Sequence, residues 1–143
     1  MSLSEKLKKL KNDDGAQEQA QHQQTLNKRE KIMTALFNRL AKGDDDFAAS
    51  LIANGSAEVT IANYDLQGGF NLFARMLGNK LSDKVACEAI TLDAIRRSKA
   101  YIDFSLELKK AGYSITDENI VHQQDAPKIM RVNYELSVAP LVK

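Results

Sequence analysis

The chain has few residues that could carry out acid–base chemistry, and they stand far apart. His122 precedes Asp125 by three residues and follows Asp103 at a distance. A histidine beside a carboxylate is a common acid/base pair, but this spacing does not require the groups to meet. Neither GxGxxG nor GxxxxGK[ST] occurs, so no nucleotide-type cofactor is indicated. We therefore predict no catalytic residues and no cofactor, and the chain is not expected to be an enzyme.

Metal-binding chemistry is not indicated either. A zinc site needs closely spaced Cys and His ligands, whereas Cys87 has no CxxC partner and no histidine near it. The run Asp44-Asp45-Asp46 lacks the spaced acidic ligands of a calcium loop and is better explained as the start of a helix. Cys87 is expected to be buried and inert.

Two kinds of binding site could use the remaining polar residues. A concave sheet under helices could form a pocket for a small apolar ligand or substrate. The candidates for the mouth of such a pocket are Tyr101, Asp103, His122 and Tyr134.

Basic residues are concentrated towards the N-terminus. Residues 1–42 hold nine Lys or Arg against five Asp or Glu, a net +4, and residues 43–143 hold eleven against fourteen, a net −3. This asymmetry is the basis for a further hypothesis, a nucleic-acid accessory protein that contacts phosphates. The absence of Trp argues against an exposed platform for base stacking. The candidate basic contacts are Lys6, Lys8, Lys9, Lys11, Lys28 and Arg29.

The N-terminal segment is predicted to form a helical arm. Leu3, Leu7 and Leu10 share one face of a helix, and residues 12–15 (Asn-Asp-Asp-Gly) predict a break after it. A second helix is predicted from there to Lys42, because the segment lacks proline and is rich in good helix formers. Its first half, AQEQAQHQQ, has nothing to bury. Residues 1–24 are therefore predicted to be either a helical arm, which projects into solvent or associates with a second copy, or a disordered tail, and residues 25–143 a single α+β domain.

The first half of the body contains short elements. Gly43 predicts the end of the long helix, and a short helix follows and ends at Asn54-Gly55. Residues 57–62 alternate apolar with polar or small residues and predict a strand. A short helix is predicted with Phe70, Phe73, Ala74 and Leu77 on one face. Residues 84–98 predict another helix, capped by Ser82 or Asp83, although a strand over residues 85–95 is the alternative.

The second half is predicted to be mainly strand. Apolar residues alternate with polar ones over residues 101–110 and again over residues 129–139, which is typical of strands with one dry face. Residues 113–126 are either a strand or a helix capped by Thr116. These patterns predict an α+β fold, in which an antiparallel sheet of three to four strands packs against helices and a long polar N-terminal helix precedes it. Over residues 25–139 the order of elements resembles the cone-shaped NTF2-like layout, a resemblance that implies a fold and no function.

General features favour a cytoplasmic protein without a membrane span. No apolar run reaches the roughly 18 residues that a spanning helix needs, and MSLSEKLKKLK has no apolar signal region. A single cysteine agrees with a reducing compartment. We predict a small interaction or assembly module that acts through its arm, as a homo-oligomer with a dimer favoured or with another protein.

Overall fold

The structure is a computed structural model that describes residues 2–66 and 81–141, apart from the side chains of residues 11–18 and 126. The helix predicted around residues 70–77 lies outside the described residues. No helix in the described part combines the length and the apolar character needed to cross a membrane.

The first element is one long helix, α1 (Leu3–Gly43). Ser2 caps its start by accepting a hydrogen bond from the backbone N–H of Glu5 at 3.3 Å, and Gly43 ends it with a φ of 105°. The break predicted at residues 12–15 is wrong, because the backbone stays helical through them. Gly15 costs only about 1 kcal/mol relative to alanine and Asn12, Asp13 and Asp14 each less, and the longer flanking segments are rich in good helix formers.

The two parts of α1 differ in their surroundings. Residues 2–10 and 19–24 are exposed, whereas a stripe in the second part is buried against the body of the protein. That stripe consists of Met33, Leu36, Phe37 and Leu40. At roughly 1.5 Å per residue, α1 is about 60 Å long, and its N-terminal part extends beyond the body.

The helix α2 (Asp45–Asn54) begins and ends as the sequence predicts. Asp44 caps it by accepting a hydrogen bond from the backbone N–H of Phe47 at 3.0 Å. Gly55, with a φ of 69°, ends it in the left-handed conformation that glycine adopts without steric cost.

A three-stranded antiparallel sheet follows the order β1-β3-β2. Its strands are β1 (Ser56–Asp65), β2 (Tyr113–Ala126) and β3 (Ile129–Pro140). The strands predicted at residues 57–62 and 129–139 are confirmed, and the open choice at residues 113–126 resolves as strand, so Thr116 caps no helix. The chain therefore has an α+β fold.

Both outer strands contain a bulge. In β1, Thr60 pairs with Asn133 and Ala62 with Val132, so Ile61 is the extra residue. In β2, Ile115 pairs with Val138 and Asp117 with Ser137, so Thr116 is the extra residue. An extra residue reverses which side chains of a strand face the core, and the bulges thus decide what each outer strand buries.

Between β1 and β2, the described residues 81–112 form three shorter helices. They are α3 (Lys84–Glu88), α4 (Leu92–Arg97) and α5 (Lys99–Lys110). The single helix predicted over residues 84–98 is in fact α3 and α4, which are capped separately by Asp83 and Thr91. Helix is therefore the correct choice for most of residues 85–95.

The strand predicted over residues 101–110 is wrong, because this segment is part of α5. The helix buries Ala100, Tyr101 and Phe104 at helical spacing, while Ile102 and Leu106 are 46% and 48% exposed. The apolar residues that alternate in the sequence thus lie on different sides of the helix, and the helical stripe takes precedence because it packs against α1.

The helical structure of residues 99–110 predicts unequal effects of substitutions along the segment. Phe104→Ala should lower the free energy of unfolding by about 3–5 kcal/mol, because it empties a filled core position. Ile102→Ser and Leu106→Ser should change it by less than about 1 kcal/mol, because both side chains are half exposed. Urea unfolding of the three variants measures this. Similar large losses at all three positions would indicate a strand with one buried face.

Candidate functional site

Two of the four predicted pocket residues meet at a third residue that the sequence did not indicate. Tyr101 on α5 donates a hydrogen bond from its hydroxyl to Oε1 of Glu118 at 2.9 Å, and the hydroxyl of Tyr134 on β3 donates to Oε2. Nε of Arg96, in the last turn of α4, lies 3.3 Å from Oε1. We call Glu118, Tyr101, Tyr134 and Arg96 the Glu118 cluster.

The bulge in β2 places Glu118 in this cluster. Ile115 faces the core opposite Val138, and after the extra residue Thr116 the inward position passes to Glu118, opposite Leu136. Without the extra residue, strict alternation would turn Asp117 inward and Glu118 outward. The carboxylate therefore reaches the two tyrosines because of one inserted residue.

Burial controls the electrostatics of the Glu118 cluster. The Glu118 side chain is only 4% exposed, and the rings of Tyr101 and Tyr134 are buried. Burial, followed by the hydrogen bond to Glu118, raises the pKa of both tyrosines well above the ordinary value. The hydrogen bond and charge of Glu118 also raise the pKa of Arg96. Both hydroxyls therefore stay protonated and donate to the carboxylate at neutral pH.

The Glu118 cluster is better suited to stabilising the packing of helices and strands than to catalysing a reaction. It links α4, α5, β2 and β3 through one carboxylate, with donors on both of its oxygens. A general base must reach the proton that it removes, and Glu118 offers little surface for such an approach.

The other two predicted pocket residues lie elsewhere. Asp103 is exposed on α5. His122 is exposed on β2, and its Nδ1 lies 3.2 Å from the Tyr64 hydroxyl. Asp125, the other suggested partner of His122, instead lies 3.4 Å from Arg131.

The predicted basic contacts divide into two groups. Lys6, Lys8 and Lys9 are exposed on the N-terminal part of α1, and the Lys11 side chain is not described. Lys28 lies 3.0 Å from Asp83, and Arg29 donates to the backbone carbonyl of Ala89 at 3.3 Å. Lys28 and Arg29 thus help to join α1 to the segment around α3.

An acidic depression of about 410 Å³ lies at the side of the sheet that faces away from the core. Its charged residues are Glu58, Asp117 and Glu135. Within the described residues, no group of three or more His, Cys, Asp or Glu side chains is placed to hold a metal ion.

An apolar groove of about 160 Å³ lies between the end of α1, α2 and α5. Its floor contains the buried Leu40, Phe47 and Phe104, and its walls the half-buried Leu51 and Leu108. Asp44 and Glu107 are the charged residues of its rim. We call this feature the α2–α5 groove.

An apolar stripe lies at the opposite end of α1. Leu3, Leu7 and Leu10 are 75%, 57% and 55% exposed and lie on one face of the helix. We call these three residues the leucine stripe. The sequence predicts the stripe from its spacing, whereas it gives no sign of the groove, whose walls come from three separate elements.

No protein-family model, curated protein or solved structure matches this chain. The NTF2-like layout therefore stays a prediction from element order, and the function has to be argued from the chain's own surfaces.

Cys87 is buried under β1, as the sequence predicts. Burial, and next the nearby charge of Asp83, raises the pKa of its thiol to about 11. The reactive form of a cysteine is the thiolate, which is therefore scarce at neutral pH.

The tyrosines of the Glu118 cluster predict a pH dependence. Unfolded tyrosine loses its proton near pH 10, while the folded protein keeps it, so the unfolded state binds fewer protons and stability falls as pH rises above about 10. Each tyrosine contributes up to about 1.4 kcal/mol per pH unit to this fall. Tyr134→Phe should cost about 1.5–3 kcal/mol at pH 7 and should flatten the curve above pH 10. Urea unfolding from pH 7 to pH 11 tests this, and parallel curves for the two proteins would contradict it.

The buried thiol predicts slow labelling. At pH 8 the native chain should react with a thiol reagent such as DTNB at least about a hundredfold more slowly than the urea-unfolded chain, because few thiolates form and the sulfur is covered. The absorbance of the released product measures both rates. Equal rates would mean that Cys87 is accessible in the native protein.

Proposed function

We propose that this chain is a small cytoplasmic, non-enzymatic assembly module whose N-terminal helical arm mediates self-association, with a dimer as the favoured oligomer. The observation that carries the proposal is the leucine stripe, which lies exposed at the end of a 41-residue helix. The arm consists of the capping residue Ser2 and residues 3–24 of α1.

The three exposed leucines form an apolar surface that association can bury. A single exposed leucine is ordinary on a protein surface, but three on one helical face form a continuous strip. Full burial of a leucine side chain contributes about 1.5–3 kcal/mol. Burying the stripe against another surface is therefore enough to stabilise an association of moderate strength.

The polar part of the arm supports the same role. The exposed residues 19–24 lie between the leucine stripe and the part of α1 that packs on the body. Their glutamines favour the helical conformation and keep the leucine stripe at a distance from the body, and these side chains add no exposed apolar surface. This gives the Gln-rich stretch a function as a spacer.

The other two function classes have less support. Of the predicted phosphate contacts, Lys28 and Arg29 already bind groups of their own chain. Of the predicted pocket residues, Tyr101 and Tyr134 are buried around Glu118, and Asp103 and His122 lie apart from them. Neither observation favours a nucleic-acid site or a ligand pocket over assembly.

Replacement of the leucine stripe tests the proposal. The variant with Leu3→Ser, Leu7→Ser and Leu10→Ser should be a monomer under conditions where the full chain is a dimer, because the apolar contact is lost. Light scattering over a concentration series gives the masses, and a chain that starts at Thr25 should behave like the triple variant.

The matched control replaces three exposed polar residues of the same helix, with Gln19→Ser, Gln21→Ser and Gln23→Ser, and should leave the dimer intact. A full chain that is monomeric throughout the series, or a dimer that survives in the leucine variant, would overturn the role of the arm.

A further inference from the structure

We propose that the leucine stripe of one copy binds in the α2–α5 groove of a second copy, and that the exchange is reciprocal. This inference rests on the proposed function, since it assigns the partner surface of the arm. It predicts an antiparallel pair of α1 helices with two identical stripe–groove contacts.

The α2–α5 groove offers an apolar site of suitable size. Its floor and walls are formed by leucine and phenylalanine side chains, and its volume of about 160 Å³ leaves room for a leucine side chain. Ala48, on the open side of α2, lines the groove and is exposed, so a helix can approach there without a bulky side chain in its way.

The distance between the leucine stripe and the α2–α5 groove requires a second copy. The stripe and the groove lie at opposite ends of the same helix, and at roughly 1.5 Å per residue Leu7 is about 50 Å from Leu40 along the axis. The arm therefore cannot fill the groove of its own chain while α1 stays helical. A second copy can supply both surfaces.

The charge of the arm favours contact with the groove over contact with a second arm. Residues 2–11 contain four lysines against one glutamate, Glu5, a net +3. Pairing two arms would bring these lysines together, whereas the groove presents Asp44 and Glu107. Both acids have partners in their own chain, Arg39 at 3.5 Å and Lys110 at 3.0 Å, but both of these basic side chains are largely exposed. Exposed ion pairs contribute little to stability, so a lysine of the arm can replace Arg39 or Lys110 as the partner of these two acids.

A two-fold symmetric arrangement lets both stripes bind both grooves at once. When two α1 helices lie antiparallel, the N-terminal end of each is beside the C-terminal end of the other, where the groove begins at Leu40 and Gly43. The two-fold axis then passes near Thr25, midway between Leu7 and Gly43. A self-complementary contact of this kind closes as a dimer and leaves neither stripe unpaired. The exposed glutamines of residues 19–24 lie near the axis, where they stay in contact with water and contribute little to the affinity, so serine can replace them.

Charge insertion at matched positions tests the groove. Ala48→Glu places a carboxylate in the groove and should weaken the dimer at least about tenfold, since the charge would have to be buried under a leucine. Ala49→Glu is the control, because Ala49 is also exposed on α2 but does not line the groove. It should leave the dissociation constant within about twofold. Equal effects of the two variants would overturn the docking.

Disulfide trapping reports the contact directly. A Leu7→Cys chain mixed with an Ala48→Cys chain should form a crosslinked heterodimer under mild oxidation, and Cys87 gives little background because it is buried. Leu7→Cys mixed with Ala49→Cys should crosslink far less. Crosslinking of Leu7→Cys with itself alone would show pairing between arms and would overturn the inference.

The outcomes separate the two proposals. A dimer that is lost in the leucine variant but unaffected by Ala48→Glu overturns the groove and leaves the assembly role intact. A full chain that is monomeric at every concentration overturns both. If that monomer co-sediments with phosphatidylserine vesicles and the leucine variant does not, the stripe binds a lipid surface instead.

Discussion

Phe37 is the side chain on which the packing of α1, α5 and the sheet depends. Its ring centroid lies 5.4 Å from that of Tyr101, 5.5 Å from Phe104 and 5.3 Å from Tyr134, and it meets both tyrosines edge to face. Such contacts are each worth about 0.5–1.5 kcal/mol beyond the burial of area. By fixing the two tyrosine rings, Phe37 also sets where their hydroxyls reach Glu118. One residue of the long helix thus connects the apolar core to the polar cluster.

Local signals predicted much of the fold, and packing decided the rest. The helix ends at Gly43 and Gly55 and the caps at Asp44 and Asp83 were predictable, because the residues that satisfy a helix end are neighbours in sequence. The strand prediction for residues 101–110 failed because their apolar residues fit both the two-residue period of a strand and the 3.6-residue period of a helix. Only the contact of α5 with α1, which is made across a long stretch of chain, selects the helical period.

The candidate site was less predictable than the fold, for a similar reason. Tyr101 and Tyr134 were predicted at the mouth of a pocket formed by a concave sheet, but Glu118 stands in a polar stretch and looks like a surface residue. The bulge at Thr116 moves the Glu118 side chain to the core side of the sheet, and no residue in that segment predicts a bulge. The α2–α5 groove could not be predicted from the sequence either, because three separate helices, α1, α2 and α5, form it together. Asp103 and His122 were chosen by type alone and lie away from the cluster.

The continuity of α1 also means that the arm does not have to nucleate its own helix. Starting a helix is unfavourable, since several residues must be ordered for the first hydrogen bond, and short isolated helices are marginal in water. The second part of α1 is already ordered by its packing on the body, so the arm only propagates an existing helix, one hydrogen bond per residue. Separated from the body, the same residues would be mostly coil, and Leu3, Leu7 and Leu10 would share no face. The three leucines therefore form a recognisable surface only on a chain whose body has folded, which couples display of the contact to completion of folding.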